Sequence, residues 1–238
     1  MKNKVLIIIP AYNESQNIEY VVDHIVENYP QYDYVVINDG SKDKTRDVCR
    51  KRGYQYINLS INLGIGGAVQ TGYKYARDKD YDMAVQLDGD GQHDIAFLEE
   101  MIQVIEQDQA DIVIGSRFIE KEGFQSSLAR RTGINLLSGL ILLTTGKRIK
   151  DVTSGYRLVN KRFIEIYADD YPIDYPEPEA IIQAIMHGGR IKECPVVMKE
   201  RIGGESSIKL MASVYYMIKV TLAIIVRRIS YGVRRQRG

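Results

Sequence analysis

Short apolar runs alternate with longer stretches of helical spacing along the first half of the chain. The apolar runs predict strands at residues 5–9, 34–37, 55–59, 83–87 and 111–115. The periodic stretches predict helices at residues 15–29, from the loop at 38–43 toward Arg52, from residue 62 through Ala76, and at 96–107. This alternation predicts an α/β fold with an open, mixed but largely parallel sheet that is flanked by helices.

The second half of the chain is less regular. We expect a helix from Lys161, a second helix that ends near His187, and a last strand at residues 191–198. The weakly polar run at residues 134–145 is too short to span a bilayer, and Asn135, Ser138 and Gly139 interrupt it. This run is typical either of a core helix or of a helix that lies at a membrane interface.

Polar residues follow three of the predicted strands, at 12–14, 39–41 and 88–94. Ligands of open α/β sheets bind beyond the carboxyl ends of the strands, so these strand ends predict one shared site. Residues 88–94 read Asp-Gly-Asp-Gly-Gln-His-Asp. In an extended segment Asp88, Asp90 and Gln92 point the same way, which favours a site for a metal ion and phosphate.

Two other interpretations of residues 88–94 stay open. These residue types are ordinary turn formers, so a plain loop also accounts for them. A calcium-binding loop counted from Asp88 would place ligands at Asp90, Gln92 and Glu99, but His93 stands where that loop requires glycine.

Glycines stand at residues 64, 66 and 67, where a predicted helix opens. A dinucleotide-binding fingerprint would need a third glycine where Val69 stands, and it would follow the first strand and not the third. Close approach of the backbone to a neighbouring ligand or helix is a sufficient explanation of these glycines.

The amino-acid composition excludes few classes of partner or function. The 238 residues are 45% hydrophobic and 26% charged, as expected for one globular body, and the formal net charge of +1 argues neither for nor against a nucleic-acid or membrane partner. Cys49 and Cys194 lie in no metal-ligand spacing, which indicates buried, reduced thiols of a cytoplasmic protein. The apolar run at residues 5–9 is too short for a secretory signal peptide.

Residues 209–238 contain Lys and Arg but no Asp or Glu. Within them, residues 210–226 are apolar except for Lys219, and five arginines follow. We expect an amphipathic helix in the lipid headgroup region, next to a globular domain at residues 1–208. Docking of this helix on a partner chain is the alternative.

Together, these motifs resemble the inverting family 2 glycosyltransferases of the GT-A fold, of the dolichol-phosphate mannose synthase type. The resemblance covers most of the chain and depends on several motifs in family order. They are Pro-Ala-Tyr-Asn-Glu at 10–14, Asn-Asp-Gly-Ser at 38–41, Asn-Leu-Gly at 62–64, Asp-Gly-Asp at 88–90 with Gln92 and His93, Gly-Ser-Arg at 115–117, Asp151 with Ser-Gly-Tyr-Arg at 154–157, and Arg201 with Gly204 and Ser206.

The resemblance implies a nucleotide-sugar donor, a divalent cation and no nucleic-acid partner. Tyr12 would stack on the base, Glu14 would hold the ribose, and Asp39 would bind the edge of the base. Asp88, Asp90 and Gln92 would hold Mg²⁺ or Mn²⁺, because carboxylates without thiol or imidazole clusters select hard cations. The residues expected to bind the nucleotide are Pro10, Tyr12, Glu14, Asp39, Gly66 and Asp88.

The resemblance also implies a polyprenyl phosphate acceptor. Arg117, Arg131, Arg201 and Ser206 are expected to bind its phosphate, since guanidinium groups donate two hydrogen bonds to phosphate oxygens. A phosphate monoester has a second pKa of about 6 and attacks without a strong base. Catalytic roles are therefore expected of Asp90, of Arg117, and of Asp151 as an organiser of the acceptor site. Hydrogen bonding within a turn is the alternative role of Asp151.

Two features depart from the family pattern. Many relatives carry Lys after the serine of the Arg-x-x-Gly-x-Ser loop, where this chain has Ser207. Relatives often carry transmembrane helices at the C-terminus, whereas this chain has only the segment at residues 210–237. We therefore expect a homo-oligomer or a small membrane partner to help hold the chain at the bilayer.

The leading hypothesis is inverting transfer of a hexose or N-acetylhexosamine from a UDP-sugar to undecaprenyl phosphate at the cytoplasmic face of the cell membrane. Transfer to a glycan hydroxyl is an alternative that needs a carboxylate base such as Asp151. A non-catalytic protein that binds nucleotide-sugar or lipid phosphate is the alternative from another class. The choice of sugar is expected to depend on the loops at residues 116–126 and 175–179.

Overall fold

The computed structural model describes residues 3–120, 128–174 and 176–199, together with Lys219, Thr221, Leu222 and Val226. The strands within these residues are β1 (Val5–Ala11), β2 (Asp33–Asn38), β3 (Tyr56–Asn58), β4 (Met83–Gln86), β5 (Ile112–Ser116), β6 (Arg157–Asn160) and β7 (Ile191–Pro195). The α-helices are α1 (Ile18–Asn28), α2 (Thr45–Arg52), α3 (Gly64–Asp78), α4 (Leu98–Glu106), α5 (Leu128–Thr145), α6 (Lys161–Asp169) and α7 (Pro176–Met186). A 3₁₀ turn at Ile95–Phe97 leads into α4.

The strands form one sheet in the order β3-β2-β1-β4-β6-β5-β7. Neighbouring strands are parallel except around β6, which runs antiparallel between β4 and β5. The predicted α/β class and the largely parallel sheet are therefore confirmed. The sequence prediction missed β6, because four residues with polar Arg157 and Asn160 at their ends give no periodicity.

Strand β1 is buried on both faces of the sheet. Leu6 and Ile8 belong to the core layer that contains the apolar sides of α3, α5, α6 and α7, while Ile7 and Ile9 belong to the layer with α1 and α4. Successive side chains of a strand point to opposite faces, so a sheet covered on both sides requires a continuous apolar run. The core consists of these two layers, one on each side of the sheet.

Helix α5 contains the weakly polar run whose location the sequence left open. Its Ile134, Leu137 and Ile141 are buried in the core, at the spacing of one helix face. Leu136 and Leu143 are 64% and 86% exposed. Helix α5 is therefore a core helix that also presents leucines at the surface. Within the described parts of the chain, none of the helices combines the length and the apolar content that crossing a bilayer requires.

The two cysteines are buried and form no disulfide. Burial raises the pKa of each thiol, Cys49 and Cys194, to about 11. Little of either thiol is ionised at neutral pH, so both are poor nucleophiles. The expectation of buried thiols is confirmed.

Most of the C-terminal segment at residues 209–238 lies outside the described residues. The four described positions, Lys219, Thr221, Leu222 and Val226, have helical backbone. Nζ of Lys219 donates to Oδ2 of Asp174 at 2.9 Å. The division into a domain at 1–208 and a membrane-associated helix at 209–238 stays a prediction.

Helix α3 packs closely against β1 at Gly72. A Cβ atom at residue 72 would lie 2.2 Å from Cγ2 of the buried Ile8. Gly72→Ala therefore overpacks the core, and we expect it to lower the free energy of unfolding in urea by about 1–3 kcal/mol. In the control Gly139→Ala, nothing lies within 4 Å of the new Cβ on α5. Higher helix propensity should stabilise that variant by up to about 1 kcal/mol. Equal stability of the two variants would contradict the close packing.

Candidate active site

A cavity of about 430 Å³ opens where β1, β2 and β4 end. These strands are parallel neighbours, so the loops that follow them meet at one edge of the sheet. The described residues that line it are Pro10, Ala11, Tyr12, Glu14, Asp39, Asn62, Gly64, Ile65, Ala68, Asp88, Gly89, Asp90 and Glu177. The structure thus brings together Pro10, Tyr12, Glu14, Asp39, Asp88 and Asp90, all of which the sequence predicts to hold the donor or its metal ion.

The loop after β1 is held by the loop after β2. Asn13 has a left-handed backbone conformation with a φ of 58°, and its N–H donates to Oγ of Ser41 at 2.9 Å. The backbone N–H of Glu14 donates to Oγ1 of Thr45 at 2.9 Å. These bonds tie the residues after Tyr12 to the loop after β2 and to the start of α2. Tyr12 itself lines the cavity with its side chain 42% exposed. An exposed ring at a cavity is a surface on which a planar base can stack.

Asp39 follows β2 directly and is only 3% exposed. Its Oδ1 accepts a hydrogen bond from the backbone N–H of Leu63 at 2.7 Å, and its carbonyl accepts one from Nδ2 of Asn62 at 3.1 Å. Burial raises the pKa of Asp39, although hydrogen bonds from the backbone of Leu63 and Gly64 lower it in part. Asp39 is therefore a desolvated acceptor in the cavity wall, suited to a ligand N–H group.

Asp88 lies where three chain segments approach one another closely. Its Oδ1 accepts a hydrogen bond from Nε2 of Gln86 at 3.0 Å, and its side chain is 36% exposed. A Cβ atom at Gly89 would lie 3.1 Å from the carbonyl oxygen of Pro10, and one at Gly155 would lie 3.2 Å from Oδ2 of Asp88. The two glycines therefore let the end of β1 and the start of β6 close around this carboxylate.

Asp90 lines the cavity beside Asp88, but the predicted third ligand does not. Gly91 turns the chain with a φ of 78°, so the extended alternation that would align Gln92 ends there. Nε2 of Gln92 points instead toward the carbonyl oxygen of Lys199, at 3.5 Å. Among the described residues, no three side chains of His, Cys, Asp or Glu are grouped closely enough to hold a metal ion. Two carboxylates suit an ion whose other ligands are phosphate oxygens and water.

His93 holds the turn behind Asp88. Its Nδ1 accepts a hydrogen bond from the backbone N–H of Asp88 at 3.1 Å, so this nitrogen carries no proton here. Its ring stacks on Tyr156 with 5.1 Å between the ring centres. His93 and Tyr156 both belong to the sequence motifs given above, but the sequence gives no indication that their rings are in contact.

The side chains of Arg117 and Asp151, both predicted at the acceptor site, bind each other. Nε and Nη2 of Arg117 donate to the two oxygens of Asp151 at 2.7 and 2.6 Å, and Nη2 also donates to Oγ1 of Thr153 at 2.9 Å. The two side chains are 6% and 0% exposed. In this conformation the pair holds the end of β5 to the segment before β6. Direct contacts of the two residues with an acceptor stay predictions.

The other residues predicted to bind the acceptor phosphate are Arg131, Arg201 and Ser206. The guanidinium carbon of Arg131 lies 5.9 Å from the ring centre of Phe118, and that of Arg117 lies 5.3 Å from the same centre. Phe118 therefore lies within cation–π distance of both arginines. Arg201 and Ser206 lie outside the described residues.

Gly66 packs against protein and does not line the cavity. A Cβ atom at this residue would lie 2.2 Å from the carbonyl oxygen of Pro172 and 2.4 Å from that of Ile173. Its neighbours Gly64 and Ile65 line the cavity instead. The close approach of another chain segment is therefore a sufficient explanation of the missing side chain, and contact of Gly66 with a nucleotide stays a prediction.

Glu177 is a cavity residue in the stretch 175–179, which the sequence analysis connects with the choice of sugar without giving this side chain a role of its own. It lies in the first turn of α7 and shares the cavity with residues that precede it by more than eighty positions. The only local signal is an acid between two prolines at a helix start, which predicts the helix and not the cavity.

Comparison with known proteins identifies the family and the fold. A family model described as Glycosyl transferase family 2 matches residues 6–167. The chain belongs to glycosyl transferase family 2. The resemblance drawn from the motifs is thereby confirmed, and so is the expectation that the protein is a glycosyltransferase.

Two relatives are similar to this glycosyltransferase over most of their own length. It is 28% identical over 214 residues to the undecaprenyl-phosphate mannosyltransferase of Micrococcus luteus, with 86% of this chain and 87% of that protein covered. It is 30% identical over 212 residues to the UDP-N-acetylglucosamine–dolichyl-phosphate N-acetylglucosaminyltransferase of Methanococcus voltae, with 81% and 84% covered.

Solved structures show the same fold in this glycosyltransferase. The glucosyl-3-phosphoglycerate synthase of Mycobacterium tuberculosis, in complex with Mn²⁺, UDP-glucose and phosphoglyceric acid, matches with a TM-score of 0.72 at 17% identity. The match covers 95% of this chain and 79% of that one. At this identity the likeness concerns the fold, and it confirms the predicted GT-A architecture.

The buried pair of Arg117 and Asp151 predicts a large stability effect. Arg117→Ala leaves Asp151 buried without its guanidinium partner, and we expect it to lower the free energy of unfolding by about 3–5 kcal/mol. The double variant Arg117→Ala/Asp151→Ala should lose less than the sum of the single variants in urea unfolding.

Arg50 and Asp47 on α2 provide a matched control for this pair. Their closest charged atoms are 3.5 Å apart, and the side chains are 72% and 66% exposed. Arg50→Ala should therefore change stability by less than about 1 kcal/mol. The interpretation fails if Arg117→Ala costs no more than this surface variant.

Proposed function

We propose that this chain transfers a hexose or N-acetylhexosamine from a UDP-sugar to a polyprenyl phosphate such as undecaprenyl phosphate, with inversion, at the cytoplasmic face of the membrane. The observation that carries the proposal is the cavity that joins Tyr12 and Asp39 to Asp88 and Asp90. It offers a stacking surface and an N–H acceptor at one part of the wall and two metal-binding carboxylates at another. A nucleoside diphosphate needs this combination of groups.

The charges around the cavity support a divalent cation. The described lining residues include five carboxylates, Glu14, Asp39, Asp88, Asp90 and Glu177, and no Lys, Arg or His. A diphosphate would be repelled by these groups unless a cation stood between them. Asp88 and Asp90 would hold Mg²⁺ or Mn²⁺, and the ion, when bound, would stabilise the negative charge that develops on the departing UDP. Gln92 would join them only if its amide left the carbonyl of Lys199.

The remaining donor contacts follow from the positions of three side chains. Tyr12 would stack on the uracil ring, and Asp39 would accept a hydrogen bond from its N–H edge. Glu14 would accept hydrogen bonds from the ribose hydroxyls. The relative from Methanococcus voltae is named as a transferase that uses UDP-N-acetylglucosamine, which favours UDP as the nucleotide of this chain's donor.

A lipid phosphate acceptor is supported by the names of both relatives and by the chemistry of the site. A phosphate monoester with a second pKa of about 6 attacks as a dianion without a base. Arg131, Arg201 and Ser206 would bind this phosphate. Arg117, through its pair with Asp151, would hold the adjacent Phe118 in place. A hydroxyl acceptor would require a carboxylate base, and Asp151 is fully buried with both oxygens accepting from Arg117.

Membrane association would bring the protein to such an acceptor. Leu136 and Leu143 of α5 are exposed leucines that would enter the headgroup boundary. The basic segment at residues 209–238 would add attraction to anionic lipid. Self-association or a small membrane partner would add further contact area.

The direct test is a transfer assay with the full chain. With radiolabelled UDP-sugars, undecaprenyl phosphate and Mg²⁺ or Mn²⁺, we expect a product that is extracted into organic solvent, and EDTA should abolish it. Asp90→Asn should lower the rate by about 100-fold or more, because a ligand of the charge-stabilising ion is lost. A non-catalytic binding protein would give no product with any donor.

Asp78→Asn is the control for the loss of a carboxylate. Asp78 is the last residue of α3, and its side chain is 67% exposed. The Asp78→Asn substitution should therefore leave the rate unchanged. Activity that persists in EDTA, or in Asp90→Asn, would contradict the role given to the ion.

Leu143→Asp tests the contribution of α5 to membrane binding. Placing a charge at this 86% exposed position should leave the fold intact and weaken binding to vesicles of anionic lipid by about 10-fold, because a buried leucine contributes roughly 1.5–3 kcal/mol. Val26→Asp on α1, at a 48% exposed position in the layer on the other side of the sheet, is the matched control. Equal vesicle binding by both variants in a sedimentation assay would exclude α5 from the membrane contact.

A further inference from the structure

One carboxylate of the cavity has no role in the proposed donor contacts. Glu14 and Asp39 serve the nucleoside, and Asp88 and Asp90 serve the metal ion, which leaves Glu177. Glu177 reaches the cavity from α7, whereas the other four come from the loops after β1, β2 and β4. It therefore faces the ligand from a different part of the fold.

Two buried prolines restrict the backbone on either side of Glu177. Pro176 and Pro178 flank it, both are buried, and each proline ring fixes its own φ near −65°. On the core side of the same helix, Nε2 of Gln183 donates to the carbonyl oxygen of Asp170 at 2.6 Å. The buried prolines thus hold the start of α7 in the core, and the Gln183 hydrogen bond holds its later part. A carboxylate on such a helix start is well placed for selective recognition.

Gly66 allows the segment before α7 to reach the cavity. The backbone of Pro172 and Ile173 lies so close to Gly66 that even a methyl group there would overlap both carbonyl oxygens. Tyr171, next in the chain, is buried against Tyr73 of α3, with 5.4 Å between the ring centres. This packing brings the start of α7 beside the start of α3, where Gly64 and Ile65 line the same cavity.

Glu177 is not a further ligand of the metal ion in this arrangement. It shares the cavity with Asp88 and Asp90, yet these three carboxylates do not form a metal-binding group among the described residues. The three carboxylates are therefore not all close enough to bind one ion together. In a nucleotide-sugar the diphosphate lies between the ribose and the sugar. With the diphosphate at Asp88 and Asp90 and the ribose at Glu14, the sugar is the group that remains for Glu177. The hydroxyl groups of the sugar donate hydrogen bonds, and an ionised carboxylate accepts them.

From this geometry we infer that Glu177 determines sugar specificity by accepting hydrogen bonds from hydroxyl groups of the donor's sugar, and that Gly66 is the positioning residue for it. The inference rests on the proposed function. It names the residue and the contact that distinguish one UDP-sugar from another. A site built to bind a hydroxyl group discriminates strongly against sugars that lack it or carry it in the other orientation.

The test compares UDP with UDP-sugars by isothermal titration calorimetry in the presence of Mn²⁺. The sugars are the epimer pairs UDP-glucose with UDP-galactose and UDP-N-acetylglucosamine with UDP-N-acetylgalactosamine. Glu177→Gln should lower the affinity for the preferred UDP-sugar by about 10- to 100-fold, because a charged acceptor is lost. It should also reduce the difference in affinity between the two epimers of a pair. UDP affinity should stay within about twofold, since UDP lacks the sugar that Glu177 binds.

Glu179→Gln is the matched control, because it removes a carboxylate from the same first turn of α7 at a residue that does not line the cavity. It should leave both affinities unchanged. Equal losses of UDP and UDP-sugar affinity in Glu177→Gln would overturn the inference, since Glu177 would then serve the nucleotide or the ion. Unchanged affinities with a lower kcat and a lost limb of the pH profile would also overturn it, in favour of a base. If the unaltered protein binds no UDP, the proposed function fails and this inference fails with it.

Gly66→Ala tests the positioning role. It should raise KM for the preferred UDP-sugar while UDP affinity is retained, and it should add no further loss in the Glu177→Gln background. Additive losses would show that Gly66 acts on another part of the site, and would overturn its positioning role. Thermal unfolding of each variant shows whether the fold is retained, and the Glu177→Gln comparison does not depend on the Gly66 variant.

Discussion

The parallel pairing of β1 with β2 on one side and β4 on the other is the constraint on which the site depends. Parallel neighbours end at the same edge, so their hydrogen bonds decide that the loops after residues 11, 38 and 86 meet. β1 is buried along its whole length, and its position is therefore fixed by the core on both faces. The apolar strands therefore determine where the loops meet, and the polar side chains of those loops form the site there.

Much of this arrangement could be predicted from sequence because it depends on local patterns. Continuous apolar runs identify strands that are covered on both faces, and polar residues after them identify the functional edge. The short strand β6 could not be predicted in this way. Its polar Arg157 and Asn160 are acceptable in a sheet only because Ser154 and Asp111 accept their hydrogen bonds, and Asp111 is 49 positions away from Asn160.

The same limit explains the site residues whose surroundings sequence could not predict. Arg117 has the chemistry of a phosphate clamp, but its partner in the structure is Asp151, which is 34 positions further along the chain. Gly66 has no side chain and so permits another group to pack closely against it. The sequence does not reveal that this group is the carbonyl of Pro172. Residue type limits what a side chain can do, and only the tertiary packing decides which of those contacts forms.

The segment from Asp151 to Arg157 links Asp88 at the cavity to Arg117 at the end of β5. Gly155 lies against the carboxylate of Asp88, and Asp151 binds Arg117. Both contacts belong to one short stretch of chain. The few residues between Asp151 and Gly155 therefore limit how far apart Arg117 and Asp88 lie, independently of the longer loops. Changes in the length or sequence of the longer loops would therefore leave the spacing between Asp88 and Arg117 unchanged.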